Sequence, residues 1–90
     1  MAVFLVERSL PGMTANDLRP AATALEQSCQ RLAPLRVRHL RTLLILGGSR
    51  CISLFEAESR DLVMRANSAA QFPFIAIEEV TQIVSTNGEE

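Results

Sequence analysis

Two periods of hydrophobic and polar positions alternate along this chain, and they divide it into six elements. The run AVFLVER, residues 2–8, is apolar until it ends in charge, and it reads as a buried strand. SLPG then breaks the backbone. In MTANDL, Thr14 is placed to cap a helix, Asp17 falls at its third position, and Met13 can staple onto Leu18. Leu18, Ala21, Ala22, Leu25, Cys29 and Leu32 follow at helical spacing on one stripe. Pro20 leaves the start of this helix open. With Thr14 as the cap it lies in the second turn and costs a hydrogen bond; with Asp17 as the cap it falls harmlessly in the first.

Ala33-Pro34 ends the helix. Residues 35–46 are rich in Val, Leu and Ile with Arg interleaved, Gly47-Gly48-Ser49 turns the chain, and Arg50 to Ala57 returns as the second arm of a hairpin. Ser59 suits the cap of a second helix whose inner stripe is Leu62, Val63, Ala66, Ala69 and Ala70. Phe72-Pro73 stops it. FIAIEEVTQIV, residues 74–84, is the last strand, and STNGEE, residues 85–90, is a polar tail beyond a single domain over 1–84.

The order βαββαβ predicts an α+β, ferredoxin-like fold: a four-stranded antiparallel sheet in the order 4-1-3-2, with both helices on one face. A sheet wetted on its other face should alternate. Val3, Phe4, Leu5 and Val6 do not, and neither do Phe74, Ile75, Ala76 and Ile77. The chain has no third layer to cover that face, so the pattern predicts a homodimer packed sheet against sheet.

Composition narrows the function classes. Ninety residues make one domain with a thin core, for which association is a common source of further burial. A net charge of -1 leaves no electrostatic footprint for nucleic acid or an anionic membrane. Two cysteines are too few to staple a secreted fold. No basic segment precedes the apolar start, so a typical signal peptide is not expected, and no run approaches the roughly 20 apolar residues of a spanning helix. The expected setting is soluble and cytoplasmic.

Few residues carry chemistry. His39 is the sole histidine, and imidazole is the commonest metal ligand. A thiolate also binds borderline ions, but a turn centred on Gly48 puts His39 and Cys51 about 20 Å apart along the hairpin at roughly 3.3 Å per residue, too far to share an ion. The bland reading of His39 is a half-exposed residue on an edge strand. Cys29 and Cys51 read as packing residues. Arg36, Arg38, Arg41 and Arg50 make the hairpin basic, either as an anion clamp or to blunt an exposed edge. Glu78 and Glu79 are adjacent in a strand and point to opposite faces, so they are no catalytic pair. Glu7, Glu56 and Glu78 remain candidate acids or ligands near strand ends, where a solvated terminus is the ordinary role. PGMTANDL sits where ferredoxin-like metallochaperones carry Gly-Met-Thr-Cys-x-x-Cys, but Ala15 and Leu18 occupy the two thiol positions and exclude soft copper binding there.

FLVERSLPG, MTANDL, the QSC of the first helix, VRHLRT, SLFEAES and FPFIAIEEV follow one register from Val3 to Val80. That register resembles the small nickel-binding-protein-like family of ferredoxin-like domains. The resemblance implies a dimer and binding of nickel, or another divalent transition metal, as storage or structure rather than catalysis. The chain departs from the family at several points. Ser53 stands where members often have cysteine, His39 where many have an aromatic, and the second helix has no histidine near Ala66 and Asn67. The glycine that usually precedes the final segment is Gln71 or Phe72. His39 with Glu7 and Glu78 is the ligand set left to a metal site. Two other classes stay open: a dimeric α+β barrel enzyme, monooxygenase- or isomerase-like, with His39 as base, and a ligand-free dimerisation module.

Overall fold

The computed structural model describes residues 1–83. Its elements are β1 (Ala2–Ser9), α1 (Ala15–Arg31), β2 (Val37–Leu44), β3 (Arg50–Ala57), α2 (Arg60–Ala69) and β4 (Ala76–Val80). The strands form one antiparallel sheet in the order β2-β3-β1-β4. This is the predicted 4-1-3-2 arrangement of an α+β, ferredoxin-like fold. The final strand is shorter than its apolar run suggested. The polar tail lies outside the described residues. Among those described, no helix is long and apolar enough to cross a membrane.

Thr14 decides where α1 begins. Its hydroxyl accepts from the Asp17 backbone N–H while the Asp17 carboxylate accepts from the Thr14 N–H, a complete capping box. The Thr14 N–H and the Thr14 hydroxyl, both donating to the Asp17 carboxylate, hold its pKa below the usual value. Pro20 therefore sits inside the helix, where no N–H reaches the Asn16 carbonyl. Asn16 and Pro20 are both exposed, so water can take up that carbonyl. Ser59 caps α2 by accepting from the Leu62 N–H. Past the end of α2, Gln71 adopts φ 55°. This left-handed region strains any residue with a Cβ by roughly 1 kcal/mol, which accounts for the glycine that the resemblance placed here.

Strand alternation sorts the sheet into two faces. Phe4, Val6 and Arg8 of β1, Cys51, Ser53, Phe55 and Ala57 of β3, and Ile77 of β4 turn under the helices and are buried. Leu18, Leu25, Cys29, Leu62, Val63 and Ala66 close the core from above. Val3, Leu5, Ile52 and Leu54 take the other face and remain only half-buried, with Leu43 50% exposed beside them. The molecule is 21 Å across its shortest extent, the depth of one sheet and one helix layer. Apolar side chains on both faces explain why β1 reads as a continuous greasy run.

Candidate functional site

The inner face of the sheet carries a line of polar side chains where apolar packing would be expected. It begins at Arg8, which is fully buried. The guanidinium donates through Nε and Nη2 to Ser53 Oγ at 3.3 and 2.9 Å, through Nη2 to Asn67 Oδ1 at 2.6 Å, and through Nη1 to the carbonyls of Phe72 and Pro73 at 3.1 and 3.2 Å. It also stacks on the Phe72 ring, 3.7 Å from the centroid. Asn67 is itself anchored, donating from Nδ2 to the Val63 carbonyl at 2.7 Å. Among the described residues no carboxylate lies within ion-pairing distance of Arg8. Burial accordingly lowers its pKa to about 10, opposed by the nearby Cys51, and it remains charged at neutral pH.

From Ser53 the line continues to Thr42 Oγ1 at 2.8 Å, and from Thr42 Oγ1 to His39 Nε2 at 2.8 Å. His39 and Thr42 are three residues apart, and in a regular strand they would point to opposite faces. A bulge between His39 and Arg41 shifts the register by one residue, from His39 opposite Phe55 to Arg41 opposite Leu54. Thr42 is thereby brought to the inner face beside His39. The ring packs on Phe55 with centroids 5.3 Å apart. His39 Nδ1 is buried and has no hydrogen-bond partner. The nearest charged oxygen to it is Glu26 Oε2 of α1, at 3.8 Å.

Burial is the largest influence on His39 and holds its pKa below the ordinary imidazole value; Glu26 opposes it and Arg8 reinforces it. The folded chain therefore takes up this proton less readily than the unfolded chain. The stability this contributes is present above a pH of about 6.5 and is lost as pH falls through the folded-state value. Between about pH 7 and pH 5, urea melts of the wild type are expected to fall more steeply than those of His39→Gln. Parallel curves would remove burial as the cause. Burial also pushes the thiols of Cys29 and Cys51 up, so both are inert packing residues at neutral pH.

The residues expected from the sequence to hold a metal are divided by the sheet. His39 lies on the helix-covered face and, contrary to its bland reading, only 5% of its side chain is exposed. Glu7 and Glu78 lie on the open face, where the pairings Glu7 with Ala76 and Leu5 with Glu78 make them diagonal neighbours. They come near each other and do not approach His39. The Cys51 separation also needs correcting. Cys51 pairs with Leu44 and His39 with Phe55, so they are four residues apart along β3, about 13 Å rather than 20. They still cannot share an ion. The basic hairpin is partly neutralised: Arg38 pairs with Glu56 and Arg50 with Glu7, each at 3.4 Å.

Arg8, Ser53, Thr42, Asn67 and Glu26 were not singled out as site residues from the sequence. Arg8 looked like the charged end of a strand, and only its place in the inward-facing alternation with Phe4 and Val6 hinted at burial. A groove of about 300 Å³ opens between α1 and β2, lined by Ala15, Leu18, Arg19, Ala22, Thr42 and Leu44. Its lining holds no carboxylate, imidazole or thiol.

The molecule is thus a small α+β protein whose single buried histidine ends an inward polar line. Over residues 4–80 the chain matches the model of the family described as "Nickel responsive protein SCO4226-like", and it belongs to that family. Among solved structures it is similar to SCO4226 from Streptomyces coelicolor A3(2), with a TM-score of 0.81 and 20% identity over 92% of this chain and 100% of that one. At that identity the likeness establishes the shared fold. No curated protein sequence matches the chain.

Proposed function

We propose that the protein is a small, non-catalytic binding protein that acts as a homodimer and takes up a divalent transition ion, nickel being the one named in the family's description. The observation that carries this reading is His39 Nδ1, buried, unpartnered and facing the Glu26 carboxylate across 3.8 Å. That gap is too long for a hydrogen bond. An ion about 2 Å from a nitrogen and about 2 Å from an oxygen would span it. Imidazole and carboxylate suit borderline divalent ions. The Thr42 bond to Nε2 is the kind of outer contact that orients a ligating histidine.

Among the described residues no group of three or more His, Cys, Asp and Glu side chains is placed to hold a metal. One chain therefore offers His39 and Glu26, and water or a second copy would supply the remaining positions. Glu7 and Glu78 lie on the face that we assign to the dimer, where an ion shared between copies would find them. Support for the dimer is the uncovered apolar stripe of Val3, Leu5, Ile52 and Leu54, flanked by the two arginine–glutamate pairs. A two-fold axis would lay that stripe on itself. The enzyme alternative draws no support from the groove, which lacks an acid or a base.

Calorimetric titration of the untagged protein with Ni²⁺ tests the reading. The wild type is expected to bind stoichiometrically, His39→Ala to lose binding, and Glu26→Gln to weaken it roughly tenfold or more. Binding that survives His39→Ala and disappears in the Glu7→Gln/Glu78→Gln double variant would move the ion to the sheet face. No binding by the wild type would end the metal reading.

A further inference from the structure

The polar line has a direction, which follows from what each group is able to donate. A guanidinium has five N–H donors and no acceptor. Two of those donors converge on Ser53 Oγ and occupy both of its lone pairs. The Ser53 hydrogen must then go outward, to Thr42 Oγ1. Having accepted that bond, Thr42 keeps one hydrogen and one lone pair, and its remaining side-chain neighbour is His39 Nε2. A proton on Nε2 would make Thr42 accept twice and leave its own hydrogen with no protein acceptor in a half-buried site. A proton on Nδ1 leaves Nε2 free to accept from Thr42, so every group from Arg8 to Nε2 is satisfied, and the Nδ1 N–H, without a hydrogen-bond partner, faces the Glu26 carboxylate 3.8 Å away.

We propose that Arg8, acting through Ser53 and Thr42, holds neutral His39 in the tautomer with its proton on Nδ1 and its lone pair on Nε2. Arg8 is then a positioning residue for His39, although the two side chains share no bond. The ring presents an N–H, not a lone pair, to Glu26. This deepens the metal reading, and one consequence rests on that reading. An ion can take Nδ1 only as the proton leaves that nitrogen and one is gained at Nε2, so the ring stays neutral. Thr42 must then turn its hydrogen away and accept from Nε2–H. The line thus restrains the ring's exchange of its proton for an ion.

His39 is the only histidine in the chain, so long-range ¹H–¹⁵N correlation spectra of the uniformly labelled, metal-free protein report its tautomer without ambiguity. At neutral pH, Nδ1 is expected in the protonated range and Nε2 in the unprotonated range. An Nε2–H tautomer or an even mixture in the wild type would overturn the proposal. Ser53→Ala removes an acceptor from a buried charge and can unfold the chain, so Thr42→Val, which keeps the shape without the hydroxyl, is the main variant. Its amide spectrum should stay native-like while the two ring nitrogens move towards averaged shifts. An unchanged Nδ1–H tautomer in Thr42→Val would show that the line is not the cause. With Ni²⁺ added, an exchangeable proton is expected at Nε2 of the wild type as Nδ1 takes the ion, and its absence from the loaded protein would overturn the switch. If the wild type binds no nickel, the metal reading fails, and the metal-free spectra still decide the tautomer.

Discussion

Arg8→Ala is expected to destabilise the protein by about 4 kcal/mol, the largest single-residue effect that the structure points to. Three costs add. The Ser53 hydroxyl, Asn67 Oδ1 and the carbonyls of Phe72 and Pro73 lose their donor in a buried setting, at roughly 1–3 kcal/mol for each group left unmet. The volume of a long side chain becomes a cavity. The stacking on Phe72 is lost as well. Relaxation of the loop around Phe72 and Pro73 towards water reduces the sum, which is why the expected figure is well below the total of the separate terms. Against a typical domain stability of about 5–15 kcal/mol, the variant would be marginal. Its melting temperature should drop by roughly 15–30 °C.

Arg8→Lys separates charge from geometry. It keeps the cation and loses the fork that reaches Ser53, Asn67 and two carbonyls together. It is expected to recover less than half of the lost stability. Arg8→Met asks a different question, because an apolar replacement avoids burying a charge without a carboxylate partner. A melting temperature for Arg8→Ala within about 5 °C of the wild type would mean that the hydrogen bonds are readily replaced by water, and that the interior is less closed than the structure indicates.

Leu5→Asp is the second large effect, and it bears on the proposed dimer. Leu5 occupies the centre of the open face, paired with Leu54 on one side and Glu78 on the other. In a single chain the position is half-buried, so an aspartate there can reach water and the fold should survive. Between two stacked sheets the same carboxylate would be buried, unpaired and beside Glu78. Such burial costs several kcal/mol, so the dimer dissociation constant should rise by about 100-fold or more. Sedimentation velocity paired with far-ultraviolet circular dichroism reads both quantities. The expected outcome is a dimeric wild type and a folded, monomeric variant. A monomeric wild type, or a variant that stays dimeric, would remove the sheet face as the contact and leave its apolar stripe unexplained.

Much of the architecture was legible because its signals are local. The Ser59 cap and the stripe from Leu18 to Leu32 each depend on residues within a few turns of one another, whereas the choice of Thr14 over Asp17 as the first cap was left open by Pro20. Local too is the apolar run of β1, whose lack of alternation indicated apolar side chains on both faces of the sheet. Alternation is a property of neighbouring residues, and no tertiary contact is needed to read it.

The candidate site was legible only at His39, and there in the wrong setting. Its burial depends on α1 lying over β2, and its partnership with Thr42 depends on a one-residue bulge for which the sequence has no marker. The ligands assigned to it, Glu7 and Glu78, fall on the far side of the sheet because strand parity places them there. Ser53 and Asn67 were marked only as places where the family's cysteine and histidine are missing, with nothing to show that they meet Arg8. The hydrogen bonds that tie them and the loop carbonyls to Arg8 join residues 45 to 65 positions apart. Periodicity assigns each segment its buried face. Which polar groups then meet across that face depends on register, a bulge and helix placement, and these exist only once the whole chain has packed.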